Sequence, residues 1–319
     1  MKHREVDGDQ LDDWAEWLSV RLKRFGASGY GESARALTPV AIRKSIESDD
    51  LLFSRATEVG SERGMVIVLR ARWEEDIIAR PVAKVFLLAA DNFAIAADLA
   101  RDTVTACKAS NVVLVSATPG HSPTFIHAAL AEAGFHVASQ ALTVRADLVA
   151  IAPAVARIPI HGPFRTATPA DADAIVDIAS RAFVDARLLA DPRFPAAWGA
   201  QLMGAWARNL VNGGADEIVV ADSRKGILGF ATMALAEERR QRVPVLMAVD
   251  PRYAGAGIGA MLVRQMLDWY RTRGMKVFIG ATEKSNTAIN SLYARLGFTV
   301  LDCNLVYHAS PTVEMRKNE

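Results

Sequence analysis

The segment richest in chemistry begins at Val249 and runs Asp250, Pro251, Arg252, Tyr253, Ala254, Gly255, Ala256, Gly257, Ile258, Gly259. A short apolar run ending at Val249 reads as a buried strand, and a helical pattern begins at Gly259. Glycine accepts positive φ and lets a ligand approach the backbone closely. Successive unpaired N–H groups at a helix start, with the helix dipole behind them, make an anion site. Each charge-assisted hydrogen bond contributes roughly 1.5–3 kcal/mol, so several can hold a pyrophosphate. A tight strand-to-helix turn with no ligand has the same spacing. The segment is not a Walker loop, because no Gly-Lys-Ser/Thr follows, and a dinucleotide fingerprint fits badly because the third glycine comes one residue early.

A second segment follows, with Asn286, then Tyr293 seven residues on, then Leu296, Gly297 and Phe298. Read alone, Tyr293 is a helix tyrosine packed in the core with its hydroxyl on a backbone group. The two segments in order, about 27 residues apart, resemble the GNAT family of acyl-CoA-dependent N-acyltransferases. The resemblance covers about residues 164–308. Val249 and Pro251 match that family's Val-x-Pro lead-in, Gly257 and Gly259 its loop glycines, and Asn286 and Tyr293 its later motif. Ala254 departs from it: the family carries Arg or Gln there, so one side-chain contact to the phosphates is lost while the backbone donors remain.

The histidine spacing leads to the expectation of no metal, and the resemblance implies acetyl-CoA as cosubstrate. It implies a splayed pair of strands, residues 244–249 and 277–281, with the pantetheine between them. Backbone groups of Met247, Ala248 and Val249 would face the thioester, and the N–H of Met247 or Ala248 would polarise the acetyl carbonyl. Ala254, Gly255, Ala256, Gly257, Ile258 and Gly259 would hold the pyrophosphate, and Asn286 the pantetheine arm. Tyr293 would be the general acid: a phenol with a pKa near 10 can protonate the departing thiolate, a contribution of about 10²–10⁴-fold. Glu237, Glu238 and Asp250 are the carboxylates near the acceptor side; each reads equally as a solvated surface group.

Across the whole chain, the two-domain layout, Ala182-Phe183, residues 191–195 and residues 206–209 resemble the dTDP-fucosamine acetyltransferase group. That implies a small-molecule amine acceptor, dTDP-4-amino-4,6-dideoxygalactose. Arg165, Arg187 and Arg193 are guanidinium forks suited to its diphosphate, or ordinary solvated arginines. Another amine (of a peptide, a polyamine or an antibiotic) and a CoA-binding sensor without turnover are the competing readings. A third makes the first domain a dimerisation platform for a homodimer, and it holds beside either.

These residues need a scaffold, and the chain supplies it twice. Residues 111–146 and 275–309 both read strand, Ala-Thr, loop, helix, Gly-Phe, strand. Anchored on Gly134 and Gly297, Leu130 falls opposite Tyr293 and Pro123 opposite Asn286; upstream, Asp91 falls opposite Asp250, and the first copy then reaches its next strand about five residues sooner. The first copy lacks the piece that carries the glycines, so it is read as silent. The expected fold is α/β, an α+β mixed sheet, as two GNAT-like domains in tandem with the first degenerate: residues 1–152 and 160–319. The boundary sits at 152–164, where three prolines disfavour continuous helix or central strand. In the first domain, helices are expected at 9–25, 41–46, 93–107 and 125–133, with Gly134 as a left-handed cap, and strands at 65–69, 83–89, 112–115 and 136–148. In the second, a cap at Thr168 opens a helix at 172–183; a helix at 196–210 and strands at 217–221 and 227–233 follow. Helices at 259–273 and 286–296 and strands at 277–281 and 298–308 complete it.

The 319 residues are 51% hydrophobic and 23% charged, which is globular composition. Lys+Arg 37 against Asp+Glu 36 leaves a net charge of +1, with no pull toward nucleic acid or an anionic membrane. Two cysteines make no disulfide framework, and the six histidines show no ligand spacing. Residues 1–13 lack the apolar core of a signal peptide, and residues 85–100, broken by Asp91, Asn92 and Asp98, are too short to span a bilayer. A cytoplasmic protein is expected.

Overall fold

In the first half, helix α1 (Pro39–Ile46) precedes the hairpin β1 (Leu51–Val59) and β2 (Glu62–Arg70); α2 (Arg72–Ile78), β3 (Val82–Ala90), α3 (Phe93–Ala109), β4 (Leu114–Ala117), α4 (Thr124–Glu132) and β5 (His136–Asp147) follow. The structure, a computed structural model, describes residues 13–14, 16–18, 39–183, 187–188, 191–235 and 246–312. The second half comprises α5 (Ala152–Ala156), β6 (Phe164–Thr166), α6 (Ala172–Ala182), α7 (Ala196–Asn209), β7 (Glu217–Ala221), β8 (Gly229–Met233) and β9 (Met247–Val249). It ends with α8 (Ile258–Thr272), β10 (Val277–Glu283), α9 (Thr287–Leu296) and β11 (Thr299–Ala309).

The chain forms two compact units, residues 1–140 with 304–319, and residues 141–303. They do not divide at the proline-rich stretch. Hydrogen bonding explains why: residues 141–147 of β5 pair antiparallel with β10, and residues 307–309 of β11 pair antiparallel with β4. Each half thus lends its final strand to the other unit. The three prolines do not prevent a helix either, since Pro153 stands in the first turn of α5, where no N–H is needed.

In the first unit β1, β2 and β3 are antiparallel and β3 pairs parallel with β4. Met65, Val66, Ile67 and Val68 of β2 are all fully buried because both faces of the sheet are covered. One face meets Ile95, Leu99, Ile126 and Leu130 of α3 and α4. The other meets Trp14, Trp17, Leu18 and Ile42. β1 and α2 escape the sequence reading. The polar Ser54, Arg55, Thr57 and Glu58 break the apolar run of β1, and α2 is shorter than its pattern needs to show.

In the second unit β6, β7, β8 and β9 form an antiparallel sheet in that order. Strand alternation divides its core. Ile218, Val220, Phe230 and Ala248 face α6 and α7, whereas Val219, Ala221, Ala231 and Met233 join α8, α9 and β10. The expected cap is present: the Asp171 carboxylate accepts from Thr168 N–H at 2.7 Å, and the reciprocal bond completes a capping box. No helix among the described residues is long and apolar enough to cross a membrane.

Candidate active site

β9 positions the first part of the site. Asp250 N–H donates to Leu228 O at 2.8 Å, and Thr232 N–H donates to Leu246 O at 2.9 Å. In an antiparallel ladder hydrogen-bonded pairs alternate, so Ala248 bonds to Phe230, its partner in register. The backbone groups of Met247 and Val249 therefore turn away from β8, toward the open edge of β9. That corrects the expectation for Ala248, whose N–H is spent within the ladder. By the same argument Leu148 N–H, donating to Lys276 O at 2.8 Å, turns Val277, Ile279 and Ala281 of β10 away from β5. Among the described residues β9 and β10 share no ladder and are end strands of different sheets, as a splayed pair requires. The expected start of β9 at Pro244 lies outside the described residues.

The loop after β9 is fixed by Asp250. Its carboxylate is fully buried and caps the turn at 251–253, accepting from Arg252 N–H at 3.0 Å. It also accepts from the Arg252 guanidinium at 2.6 Å and, from α6, both Arg181 nitrogens at 3.3 Å. The Arg252 and Arg181 guanidiniums hold it far below the usual carboxylate range. Asp250 is thus a structural anion and no base. Glu237 and Glu238 lie outside the described residues.

Ala254 leads into Gly255 at φ +81° and Gly257 at φ +78°, both left-handed. A Cβ on either glycine would meet nothing within 4 Å, so the loop borders open space. Gly257 is the N-cap of α8 and offers no side chain to its first turn. The first helical bond runs from Met261 N–H to Gly257 O at 3.2 Å, so the N–H groups of Ile258, Gly259 and Ala260 precede the ladder. Ile258, Leu262, Met266 and Tyr270 bury the opposite face of α8 and aim this end of the helix. Gly259 differs from the other two: a Cβ there would sit 3.6 Å from Val249 Cγ2, ordinary contact in helical backbone.

α9 carries the last part. Asn286 is its N-cap, accepting from Ile289 N–H at 3.3 Å. Asn290, which the sequence reading passed over, donates to Glu283 O at 3.0 Å and Lys284 O at 3.1 Å and ties the β10–α9 loop. Its signal was its place one turn after the cap. Tyr293 lies in the core, its ring stacked on Phe298 at 4.3 Å and 14°. Its hydroxyl has no partner among the described residues, and it is not one of the fully enclosed polar atoms that lack a bond, so it keeps access to solvent. Burial of the ring pushes its pKa up to about 12. Tyr270 shows the alternative use of a buried phenol, with its hydroxyl bonded to both N–H (3.3 Å) and C=O (3.2 Å) of Ala234.

The acceptor-side arginines are committed elsewhere in part. Arg165 makes a two-pronged pair with Asp171 at 2.7 and 2.9 Å and bonds Asp222 at 2.7 Å. Arg193 bonds Asp191 at 3.0 Å. Arg187 is half-buried.

Comparison with known proteins agrees with this geometry. Residues 214–300 match the acetyltransferase (GNAT) domain family. Over 148 residues the chain is 26% identical to the spore coat polysaccharide biosynthesis protein SpsD of Bacillus subtilis (strain 168), covering 46% of this chain and 50% of that one. Over 62 residues it is 37% identical to a mycothiol acetyltransferase of Streptosporangium roseum, covering 19% of this chain and 18% of that one. The chain thus spans half or less of the length of these curated relatives. A tandem GNAT protein from the clavulanic acid biosynthesis pathway superposes with a TM-score of 0.55 at 14% identity, over 98% of this chain and 99% of that one, a likeness of fold. The fold is two GNAT-like halves in tandem, and the matches support a GNAT-family acetyltransferase.

Proposed function

We propose that the protein transfers the acetyl group of acetyl-CoA to the primary amine of an amino-sugar nucleotide, dTDP-4-amino-4,6-dideoxygalactose being the leading acceptor. The carrying observation is the Tyr293 phenol: buried, protonated at every physiological pH, and with its hydroxyl unpartnered among the described residues. Unlike the Tyr270 hydroxyl, which is bonded to Ala234, the Tyr293 hydroxyl is not engaged by the fold and is open to a departing group.

The residues fit acetyl-CoA. Gly255 and Gly257 border open space, and the uncapped first turn of α8 supplies N–H donors for a diphosphate. The free edges of β9 and β10 offer backbone donors and acceptors to an extended amide-bearing arm. In the reaction the neutral amine nitrogen bonds to the thioester carbon, the carbon–sulfur bond breaks, and acetamide and thiol form. Met247 or Val249 N–H, on the open edge of β9, would polarise the acetyl carbonyl. Tyr293 would donate its proton to the departing sulfur and regain one from the ammonium nitrogen of the tetrahedral intermediate as it collapses to the amide. Asp250 is held ionised by two guanidiniums, and the amine would attack in its neutral form. A sugar acceptor is supported by the polysaccharide role in the name of the Bacillus subtilis relative. The need for acetyl-CoA supports a cytoplasmic reaction.

The test is thiol release from acetyl-CoA with dTDP-4-amino-4,6-dideoxygalactose beside polyamines, peptides and aminoglycosides. Release with the sugar nucleotide alone is expected. Release only with another amine would keep the chemistry and discard the sugar, and silence across the panel would favour a CoA-binding sensor.

A further inference from the structure

We propose that Phe298 is a positioning residue that fixes the plane of the Tyr293 phenol, and with it the plane in which its O–H bond lies, through the stack between the two rings. The inference rests on the acetyl-transfer reading above.

Three observations carry it. The Tyr293 and Phe298 rings lie 4.3 Å apart at 14°, near-parallel and in face contact. Burial is the sole influence on the Tyr293 phenol, with no hydrogen bond to its hydroxyl among the described residues, so no polar contact sets the ring's rotation. Phe298 is held on both sides: its N–H donates to Tyr293 O at 3.0 Å, across a left-handed Gly297 at φ +90°, and its ring meets Phe278 edge-on at 6.0 Å. Phe278 in turn leans on Tyr270 at 5.5 Å, whose hydroxyl is pinned to Ala234. The plane of the reactive phenol is thus set by a row of rings that ends on a fixed backbone. A phenol that must stay unbonded to reach a departing group cannot be oriented by its own hydroxyl. An aromatic face is the remaining means.

The test compares Phe298→Leu and Phe298→Tyr, each alone and with Tyr293→Phe, in the full chain, with a thermal melt to confirm folding. Phe298→Leu is expected to lower kcat for thiol release roughly tenfold to a hundredfold, the usual cost of a misplaced group, with KM for acetyl-CoA unchanged. Phe298→Tyr keeps the aromatic face and should restore kcat. In the Tyr293→Phe background, Phe298→Leu should cost nothing further, because its effect travels through the lost hydroxyl. A second readout needs no turnover. In fluorotyrosine-labelled protein, the ¹⁹F resonance that vanishes in Tyr293→Phe should shift toward the free amino-acid position in Phe298→Leu and hold in Phe298→Tyr. A folded Phe298→Leu chain with an unmoved resonance, or an equal kcat loss in both backgrounds, would overturn the proposal. A moved resonance with turnover indifferent to Tyr293→Phe would instead bring down the catalytic reading of Tyr293.

Discussion

Asp91 and Asn92 alone separate β3 from α3, whereas residues 250–257 separate β9 from α8. In the short junction both side chains accept bonds from the fold itself. Asn92 Oδ1 takes Ile95 N–H at 2.9 Å, and the Asp91 carboxylate takes Arg63 N–H at 2.8 Å and Trp17 Nε1–H at 3.3 Å. In the long junction the cap is a left-handed glycine with no side chain. A helix start capped by its own side chain has a donor fewer for an anion, and the cap's side chain stands where the anion would sit; an uncapped start keeps both donor and space. Downstream the two halves agree closely. Asn290 ties the loop before α9 through backbone carbonyls, and the aligned His127 is half-buried at the same place in α4. Both helices end at a left-handed glycine, and the next phenylalanine N–H reaches back to Leu130 O (2.9 Å) or Tyr293 O (3.0 Å). Leu130 and Tyr293 thus stand at one place in the scaffold, both buried. The halves differ by a loop and a hydroxyl on a shared frame.

The sharpest way to break that comparison is to erase the hydroxyl. Tyr293→Phe should lower kcat by about 10²–10⁴-fold and leave acetyl-CoA binding by calorimetry intact. Leu130→Tyr in that background should restore nothing, because the helix start that follows β3 is capped by Asn92 and lacks the glycine loop. Restored turnover would show that the first half retains a site.

The buried phenols also set an alkaline limit. Tyr293 and Tyr270 ionise at about 12 in the folded chain, against about 10 when unfolded. A folded pKa raised above the unfolded one gives stability that is intact below pH 10 and lost as pH rises to 12. Each tyrosine contributes at most about 3 kcal/mol of that fall. Urea melts at pH 9 and pH 11 should show it, and Tyr293→Phe and Tyr270→Phe should each reduce it. A mutant with the wild-type slope would mean that its phenol titrates normally.

A smaller effect separates the glycines. Gly255→Ala and Gly257→Ala force left-handed backbone on a residue with a Cβ, roughly 1–2 kcal/mol, and should lower Tm and raise KM for acetyl-CoA. Gly259→Ala meets only ordinary contact with Val249 and should leave Tm level or higher, since alanine suits a helix better. Equal losses at all three positions would mean that the loop is read by its side-chain volume and not by its backbone.

Spacing carried this far because the decisive groups are backbone. Gly255, Gly257 and Asn286 are visible in sequence since their conformations or caps demand those residue types, and Tyr293 by its place in a motif. What stayed hidden is set by tertiary contacts. Ladder register turns Ala248 inward and Met247 and Val249 outward, and no composition rule shows it. Asp250 reads as a surface carboxylate until Arg181, distant in sequence, closes on it. The units divide by strand pairing, which the proline-rich stretch does not reveal. Gly259 shows the opposite error: it matches a motif glycine, yet its backbone places no such demand.

The smallest effect tests the closed junction itself. Asn92→Ala removes the side-chain acceptor for Ile95 N–H and should destabilise the chain by about 1 kcal/mol, the usual cost of losing an N-cap. Asn92→Gly should cost less, because glycine leaves the cap backbone relaxed and water can reach the freed N–H. Neither change should alter thiol release or KM for acetyl-CoA if, as proposed, the cap serves only the fold of the first half. The contrast with Gly257→Ala is the point: two residues at matching helix starts, one that acts on stability alone and one that acts on cosubstrate binding as well. An Asn92→Ala chain that melted normally but lost turnover would place the first-half junction in the reaction, and the division of labour between the halves would have to be redrawn.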